Sequence, residues 1–300
     1  MDIPYLIDFE PNTGSAQAVS PLIQRVVAPN AGPFTAWGTG SYIVGADSVA
    51  VIDPGPARDD HLAALTAALE GRTVSHILVT HTHLDHSPLA SILAAQTGAP
   101  VLAFGPHGAG REAGLAGEQV EAGADMDFAP DIRLADGELV EGDGWTLEAV
   151  HTPGHTSNHL CFALREEQAL FTGDHIMGWS TTIISPPDGD MAQYMASLDK
   201  VKARDEKRLI PCHGPVIDDP EAFIAALIAH RQAREAKILA AVRAGMEAVE
   251  PIVARVYTDV ATELHPAAAR STLAHLIHLV DQGLVVANGD AGLDALYQPA

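Results

Sequence analysis

Residues 79–88, VTHTHLDHSP, place His81, His83, Asp85 and His86 within six positions, directly after an apolar run. Neutral imidazole nitrogens and carboxylate oxygens are the ligands a borderline divalent cation such as zinc prefers. Alternate residues of an extended segment point the same way, so His81 and His83 can address one point. Asp85 and His86 follow as the chain turns, and they can address a second point close by. The spacing therefore suggests two metal ions, which four ligands cannot saturate. Further candidates stand at predicted strand ends: His155 in HTPGHTSNH, Asp174 in LFTGDH and His213 in LIPCHGP. Pro153 and Gly154 enforce a turn that can push the His155 ring out of a sheet, and Gly214 with Pro215 stops the strand at His213. Water shared by two such cations becomes more acidic, and the cations polarise a carbonyl or phosphoryl oxygen. The chemistry expected is hydrolysis of an ester-like bond by a zinc-bound hydroxide, with no serine or cysteine nucleophile, and no G-x-S-x-G elbow is present. Asp85 can do more than ligate: it can orient the hydroxide and carry a proton, which makes it the candidate catalytic residue.

Such ligands need a framework. Strand-like runs rich in β-branched residues occur at 40–46, 48–53, 73–80, 100–104, 145–151, 158–164, 169–174 and 208–212. Helix-like segments lie between some of them, at 59–70, 87–98 and 190–203. Strands alternating with helices indicate a layered α/β domain, and neighbouring strands with no helix between them imply that part of the sheet is antiparallel. Tyr194, at helical spacing with Met191, Met195 and Leu198, reads as a core face. The Gly- and acid-rich stretch 105–144 is expected to cover one edge of the fold. Its GPHGAG lacks G-x-G-x-x-G and a downstream G-K-[ST], which argues against a nucleotide-phosphate loop.

From Pro220 the texture changes to Ala-rich helix, with three helices and a closing pair of short strands. The expected division is 1–220 for the catalytic domain and 221–300 for a winged-helix-like domain. Residues 221–300 carry six Lys or Arg against nine Asp or Glu, so a DNA-reading role is not expected, and packing, dimerisation or a substrate wall is favoured. The whole chain has 39 Asp and Glu against 17 Lys and Arg, a net charge of −22, which opposes broad binding of polyanions. Two cysteines among 300 residues are compatible with a reducing cytoplasm, the expected location. No run of about 18 apolar residues suggests a membrane span.

The ordered set H-x-H-x-D-H, T-P-G-H-T, T-G-D and a final H-G resembles the metallo-β-lactamase-fold hydrolases across roughly residues 20–218. With the winged-helix-like tail, the chain looks most like the branch that includes the beta-lactamase-like endoribonuclease. The resemblance implies an αββα sandwich with the metals at one edge of its two sheets. It gives His81, His83 and His155 to one zinc and Asp85, His86 and His213 to the other, with Asp174 as bridging carboxylate. Two Zn2+ per chain are the expected cofactors, with Mn2+ or Fe2+ as alternatives. Diiron oxygen reductases of this fold carry glutamate where His83 stands, and true β-lactamases generally lack the bridging aspartate. The family therefore points to phosphodiesters, single-stranded RNA foremost, with a thioesterase of the glyoxalase II type, a lactonase or a weak β-lactamase as alternatives. A winged-helix regulator with a structural metal site is the reading from another class. His175, Trp179, Ser180 and Thr181, just beyond Asp174, are candidate substrate-entrance residues. His151 and His159 are candidates for orienting ligands, and His107 is a further candidate in the Gly-rich stretch. Cys212 adjoins a ligand where the family usually has glycine.

Overall fold

The computed structural model describes residues 3–111, 123–258 and 260–300. Among these, one sheet runs in sequence order through β1 (Ala16–Ala18), β2 (Ile23–Val27), β3 (Gly40–Val44), β4 (Ser48–Ile52), β5 (Thr73–Leu78), β6 (Val101–Ala103) and β7 (Ile132–Arg133). Helices α1 (Asp59–Ala68) and α2 (Leu89–Thr97) are the crossovers that make β4, β5 and β6 parallel, whereas β2, β3 and β4 run antiparallel. A second sheet comprises β8 (Leu139–Gly142), β9 (Trp145–His151), β10 (Leu160–Leu164), β11 (Ala169–Gly173) and β12 (Arg208–Pro211). Its pairs are antiparallel except the last, which α3 (Met191–Lys202) joins in parallel.

Side-chain alternation along these strands determines how the layers stack. Tyr42, Val44, Ile52 and Leu78 of the first sheet face Trp145, Leu147, Phe162 and Phe171 of the second, and together they fill the space between the sheets. The opposite face of the first sheet, with Ile43, Val49, Val51 and Ile77, packs on Leu65 of α1 and Leu89 and Leu93 of α2. The opposite face of the second, with Val150, Cys161, Leu170 and Leu209, packs on Tyr194 and Leu198 of α3. Strands buried on both faces read as continuous apolar runs, which is why the sequence announced them. The result is the expected αββα sandwich. Phe162→Ala, which would empty a fully buried site between the sheets, is expected to cost about 3–5 kcal/mol. Urea unfolding followed by tryptophan fluorescence checks this, and an unmoved midpoint would contradict the packing described.

The segment 105–144 contributes an edge strand to each sheet, β7 to the first and β8 to the second; residues 112–122 lie outside the described ones. Beyond β12, α4 (Pro220–Arg243) starts at Asp219, whose side chain accepts from the Ala222 N–H, with Pro220 in the first turn. The expected division at residue 220 thus falls at this helix start. Phe223, Ile224 and Leu227 join the outer layer of the second sheet. Farther along, Ile238, Ala241 and Val242 pack with α5 (Val249–Val256), α6 (His265–Asp281) and the pair β13 (Val285–Ala287) and β14 (Tyr297–Pro299). Among the described residues no helix is long and apolar enough to cross a membrane.

Candidate metal centre

The strand ends of both sheets deliver the chemistry to one edge of the sandwich. β5 ends at Leu78, and His81, His83, Asp85 and His86 occupy the loop that leads to α2. His155 sits between β9 and β10, Asp174 directly after β11, and His213 just after β12. Gly154 is required in this arrangement: its φ is 137°, and a Cβ there would lie 2.4 Å from the Tyr194 Cα, so only glycine lets the turn settle on α3. Gly173, at φ 49°, does the same for Asp174, since a Cβ would meet His159 Nε2 at 2.7 Å.

All seven predicted ligands converge. His83 Nδ1 lies 3.0 Å from His81 Nε2 and 3.1 Å from His155 Nε2. Asp174 Oδ2 is 4.0 Å from His81 Nε2 and 3.7 Å from His155 Nε2. On its other side, Asp174 Oδ1 is 3.5 Å from His86 Nε2 and 3.2 Å from His213 Nε2, and Asp85 Oδ2 is 3.3 Å from each of those nitrogens. Ligands placed tetrahedrally around zinc at ordinary bond lengths are about 3.3 Å apart. The second group lies close to that spacing, the first spans 3.0 to 4.0 Å around it, and Asp174 offers one oxygen to each.

Proton placement leaves these groups able to hold metal ions. The His155 Nδ1–H donates to the Ile183 carbonyl at 2.7 Å, and the His213 Nδ1–H to the Gly38 carbonyl at 3.2 Å. The His86 Nδ1–H donates to Asp53 Oδ2 at 2.9 Å. The Thr80 hydroxyl gives its own proton to Asp53 Oδ2 at 2.7 Å, so at 3.0 Å it accepts from the His81 Nδ1–H. With those protons committed, the Nε2 atoms of His81 and His155 carry lone pairs aimed at His83 Nδ1, which can donate one proton at most to the two of them. A lone pair is left without a full hydrogen bond in this buried group, and a cation among the three nitrogens would coordinate all of them. His86 Nε2, His213 Nε2 and Asp174 Oδ1 are likewise buried with no hydrogen-bond partner. The residues present fit two divalent ions.

Electrostatics separates the two groups. Burial, followed by the neighbouring rings, holds His81 well below its ordinary pKa and His83 down to about 3, so both stay neutral and available as ligands. At the other group burial opposes charge, but the carboxylates prevail: Asp85, Asp174 and Asp53 raise His86 well above the usual range, and Asp174 and Asp85 raise His213 to about 10. That second position is built to hold positive charge.

A supporting layer orients the ligands. Asp53, fully buried at the end of β4, accepts from the Thr80 N–H at 2.7 Å and the Cys212 thiol at 3.0 Å besides His86 and the Thr80 hydroxyl. Asp53, His86 and Cys212 are close enough to consider as a third ligand group. Hydrogen bonds already join them, however, and burial pushes the Cys212 thiol well above its ordinary range, so it stays protonated. Thr39 donates to Asp85 Oδ2 at 3.0 Å and is itself fixed by Asn30 through bonds of 2.9 and 2.8 Å. His159 Nε2 accepts from the Asp174 backbone N–H at 3.2 Å, and its ring stacks on His81 with centroids 5.2 Å apart. The other histidines named from sequence sit elsewhere. His151 bonds the Ser157 carbonyl and stacks on Phe104, and His107 bonds the Thr82 hydroxyl.

Of the four expected substrate residues, Trp179, Ser180 and Thr181 line one cavity, and His175 does not join them. The His175 ring is fully buried against Tyr194, whose hydroxyl donates to the His175 carbonyl at 3.1 Å. The chain reverses direction after Asp174, and the next side chain turns back into the core. Asp53 and Thr39 were not singled out from the sequence. Asp53 carries the same signal as Asp174, a carboxylate ending an apolar run, in VIDPG. Thr39 carries none.

The family model described as metallo-beta-lactamase superfamily matches residues 35–213. The chain belongs to the metallo-beta-lactamase superfamily. A second model, beta-lactamase associated winged helix domain, matches residues 248–293, so the superfamily branch with a winged-helix tail is the one present. The chain is 33% identical over 237 residues to an atrochrysone carboxyl ACP thioesterase of Cryptosporiopsis sp. (strain 8999), covering 77% of this chain and 66% of that protein, just under two thirds of its length. It is 30% identical over 292 residues to the beta-lactamase-like protein 2 homolog of Caenorhabditis elegans, covering 94% of this chain and 91% of that one. The fold of a beta-lactamase domain protein from Burkholderia ambifaria superposes with a TM-score of 0.79 at 21% identity, covering 100% of this chain and 97% of the other. Within this superfamily fold the chain carries histidine and aspartate groups able to hold metal ions.

Proposed function

We propose that the protein is a dinuclear zinc hydrolase whose substrate is a small acyl thioester. The observation that carries the metal assignment is the paired convergence around Asp174, with three imidazole nitrogens that share at most one proton on one side and buried, unpartnered ring nitrogens on the other. His81, His83, His155 and Asp174 Oδ2 would hold one ion, and Asp85, His86, His213 and Asp174 Oδ1 the other. When bound, such ions lower the pKa of a shared water and polarise a scissile carbonyl. The residues of the chain supply the remainder. Asp85, with its side chain 26% exposed against 10% for Asp174, is the carboxylate of the set most open to solvent. Thr39 fixes its Oδ2, so that Asp85 can take a proton from attacking water and return it to the leaving thiolate. Asp53 and the Ile183 and Gly38 carbonyls hold the imidazoles in one orientation.

Two observations favour a thioester over an RNA phosphodiester. The relative from Cryptosporiopsis bears a thioesterase name, and a net charge of −22 opposes a polyanionic substrate. The test is metal analysis of the purified protein joined to an activity panel of acyl thioesters, single-stranded RNA, lactones and β-lactams. Two zinc ions per chain and turnover of the thioester are expected, with Asp85→Ala lowering kcat by about 10²-fold. Full turnover by that variant, or cleavage confined to RNA, would overturn the proposal.

A further inference from the structure

A cavity of about 310 Å3 lies between the loop that follows Asp174 and the C-terminal helices, lined among others by Trp179, Thr182, Ile183, Arg231 and Tyr257. Its wall is shared with the metal centre. The Ile183 carbonyl holds His155 Nδ1, and the Thr182 hydroxyl donates to the Asp174 carbonyl.

The chemistry of that wall is unusual for so acidic a chain. His230, Arg231 and Arg234 line it, and none of the described lining residues is acidic. Arg231 is 3% exposed. One of its Nη atoms donates to the Thr182 carbonyl, its guanidinium stands 5.2 Å from the centre of the Tyr194 ring, and its Nε has no partner. Among the described residues no carboxylate pairs with it. A buried guanidinium without a counter-charge is costly, and so is each buried donor left unbonded. The Tyr257 hydroxyl and the Trp179 indole N–H are two more such donors in the same lining. Arg234 stands 4.0 Å over the Tyr257 ring and donates to the Val256 carbonyl, which fixes that ring in the lining.

We propose that this cavity is an oxyanion subsite, in which Arg231, Tyr257 and Trp179 hold a carboxylate or phosphate of the substrate while the reacting bond lies at the metal centre. The planar guanidinium suits either group, and both satisfy the hydroxyl and indole donors. Assigning the anion to the substrate rests on the hydrolase reading above; the binding of an anion does not. The anion has two sources in a carrier-linked thioester: a phosphate on the thiol arm or a carboxylate on the acyl group.

The first measurement titrates inorganic phosphate and acetate into the zinc-loaded protein and follows tryptophan fluorescence. Saturable binding of at least one of them is expected, weakened roughly tenfold or more in Arg231→Met. Tyr257→Phe, a milder change, covers the case in which Arg231→Met does not fold, and it should weaken binding in the same direction. No binding by the wild type, or unchanged affinity in folded variants, overturns the subsite. The second measurement compares KM for four thioesters, with and without a phosphate on the thiol arm and with and without a terminal carboxylate on the acyl group. A lower KM for the phosphorylated pair identifies the carrier arm, and one for the carboxylated pair identifies the acyl end. Either advantage should vanish in Arg231→Met. Equal KM values for all four overturn the assignment to substrate. If no thioester is turned over but phosphate or acetate still binds in an Arg231-dependent way, the thioesterase reading fails while the anion site stands.

Discussion

Asp174→Ala should leave the protein with fewer than two metal ions per chain and lower kcat/KM by on the order of 10³-fold or more. Each oxygen of this carboxylate faces a different ligand group, Oδ2 toward His81 and His155 and Oδ1 toward His86 and His213. Truncation removes a ligand from both positions at once and the negative charge that lies between them. Two adjacent cations without that charge repel at close range, so one position should empty before the other. Asp174→Asn retains a single acceptor oxygen and should hold more metal than the alanine variant, still with poor turnover. Elemental analysis of protein purified without chelators, alongside the thioester assay, reads both outcomes. An alanine variant with two tightly held ions would show that Asp174 does not bridge.

The second large effect belongs to Asp53, which touches neither proposed ion. Asp53→Ala would strand the Thr80 N–H and hydroxyl, the His86 Nδ1–H and the Cys212 thiol in a site closed to solvent. Breaking a buried charge-assisted network in this way is expected to cost about 3–5 kcal/mol of stability. Freed from its anchor, His86 should also lose orientation, and metal affinity should fall about 10–100-fold. Asp53→Asn separates the two consequences. Asparagine tolerates the left-handed backbone at this position, where φ is 48°, and with its oxygen in the place of Oδ1 it keeps the bond from the Thr80 N–H. Its amide NH2 then takes the place of Oδ2 and opposes the His86 ring, the thiol and the Thr80 hydroxyl. The expected result is a smaller stability loss with most of the affinity loss retained, measured by urea unfolding and by competition with a metal chelator. Wild-type affinity in a folded Asp53→Ala would refute the anchoring role.

All seven proposed ligands were legible in the sequence because each follows an apolar strand whose burial forces the next polar residue out at the sheet edge. Their number gave them away. A lone carboxylate closing a strand draws no notice, and Asp53 was read only as the end of the strand-like run 48–53 although its context matches that of Asp174. The chain from Asn30 through Thr39 to Asp85 joins segments far apart in sequence, and nothing in their composition marks it. The strands missed were those at or near the sheet edges. β1 and β7 are two or three residues long, too short for alternation to register, and β2 carries Gln24 and Arg25 in place of a continuous apolar run. His175 illustrates another limit: spacing places a residue beside a ligand but does not say to which side of a reversing chain it points. Of the cavity around Arg231 only Trp179, Ser180 and Thr181 were named from sequence, and the side formed by the tail was not, since nothing in the sequence brings Arg231 and Tyr257 to the loop near residue 180.

Helix α4 gives the tail a fixed phase relative to the catalytic layers. Its first turns wedge Phe223, Ile224 and Leu227 against one core, and its last turns carry Ile238, Ala241 and Val242 into another. Twenty-four residues of unbroken helix make a rod of about 36 Å, so a cut at residue 219 would bare the back of the second sheet, and a cut after Arg243 would leave an apolar stripe with no cover. Inserting one residue midway would swing the downstream half by about 100° about the axis and carry Arg231 or its opposing wall out of alignment. Tails from related proteins can therefore be exchanged only at matching helical angle, a rule that whole-turn insertions would obey and single-residue insertions would break.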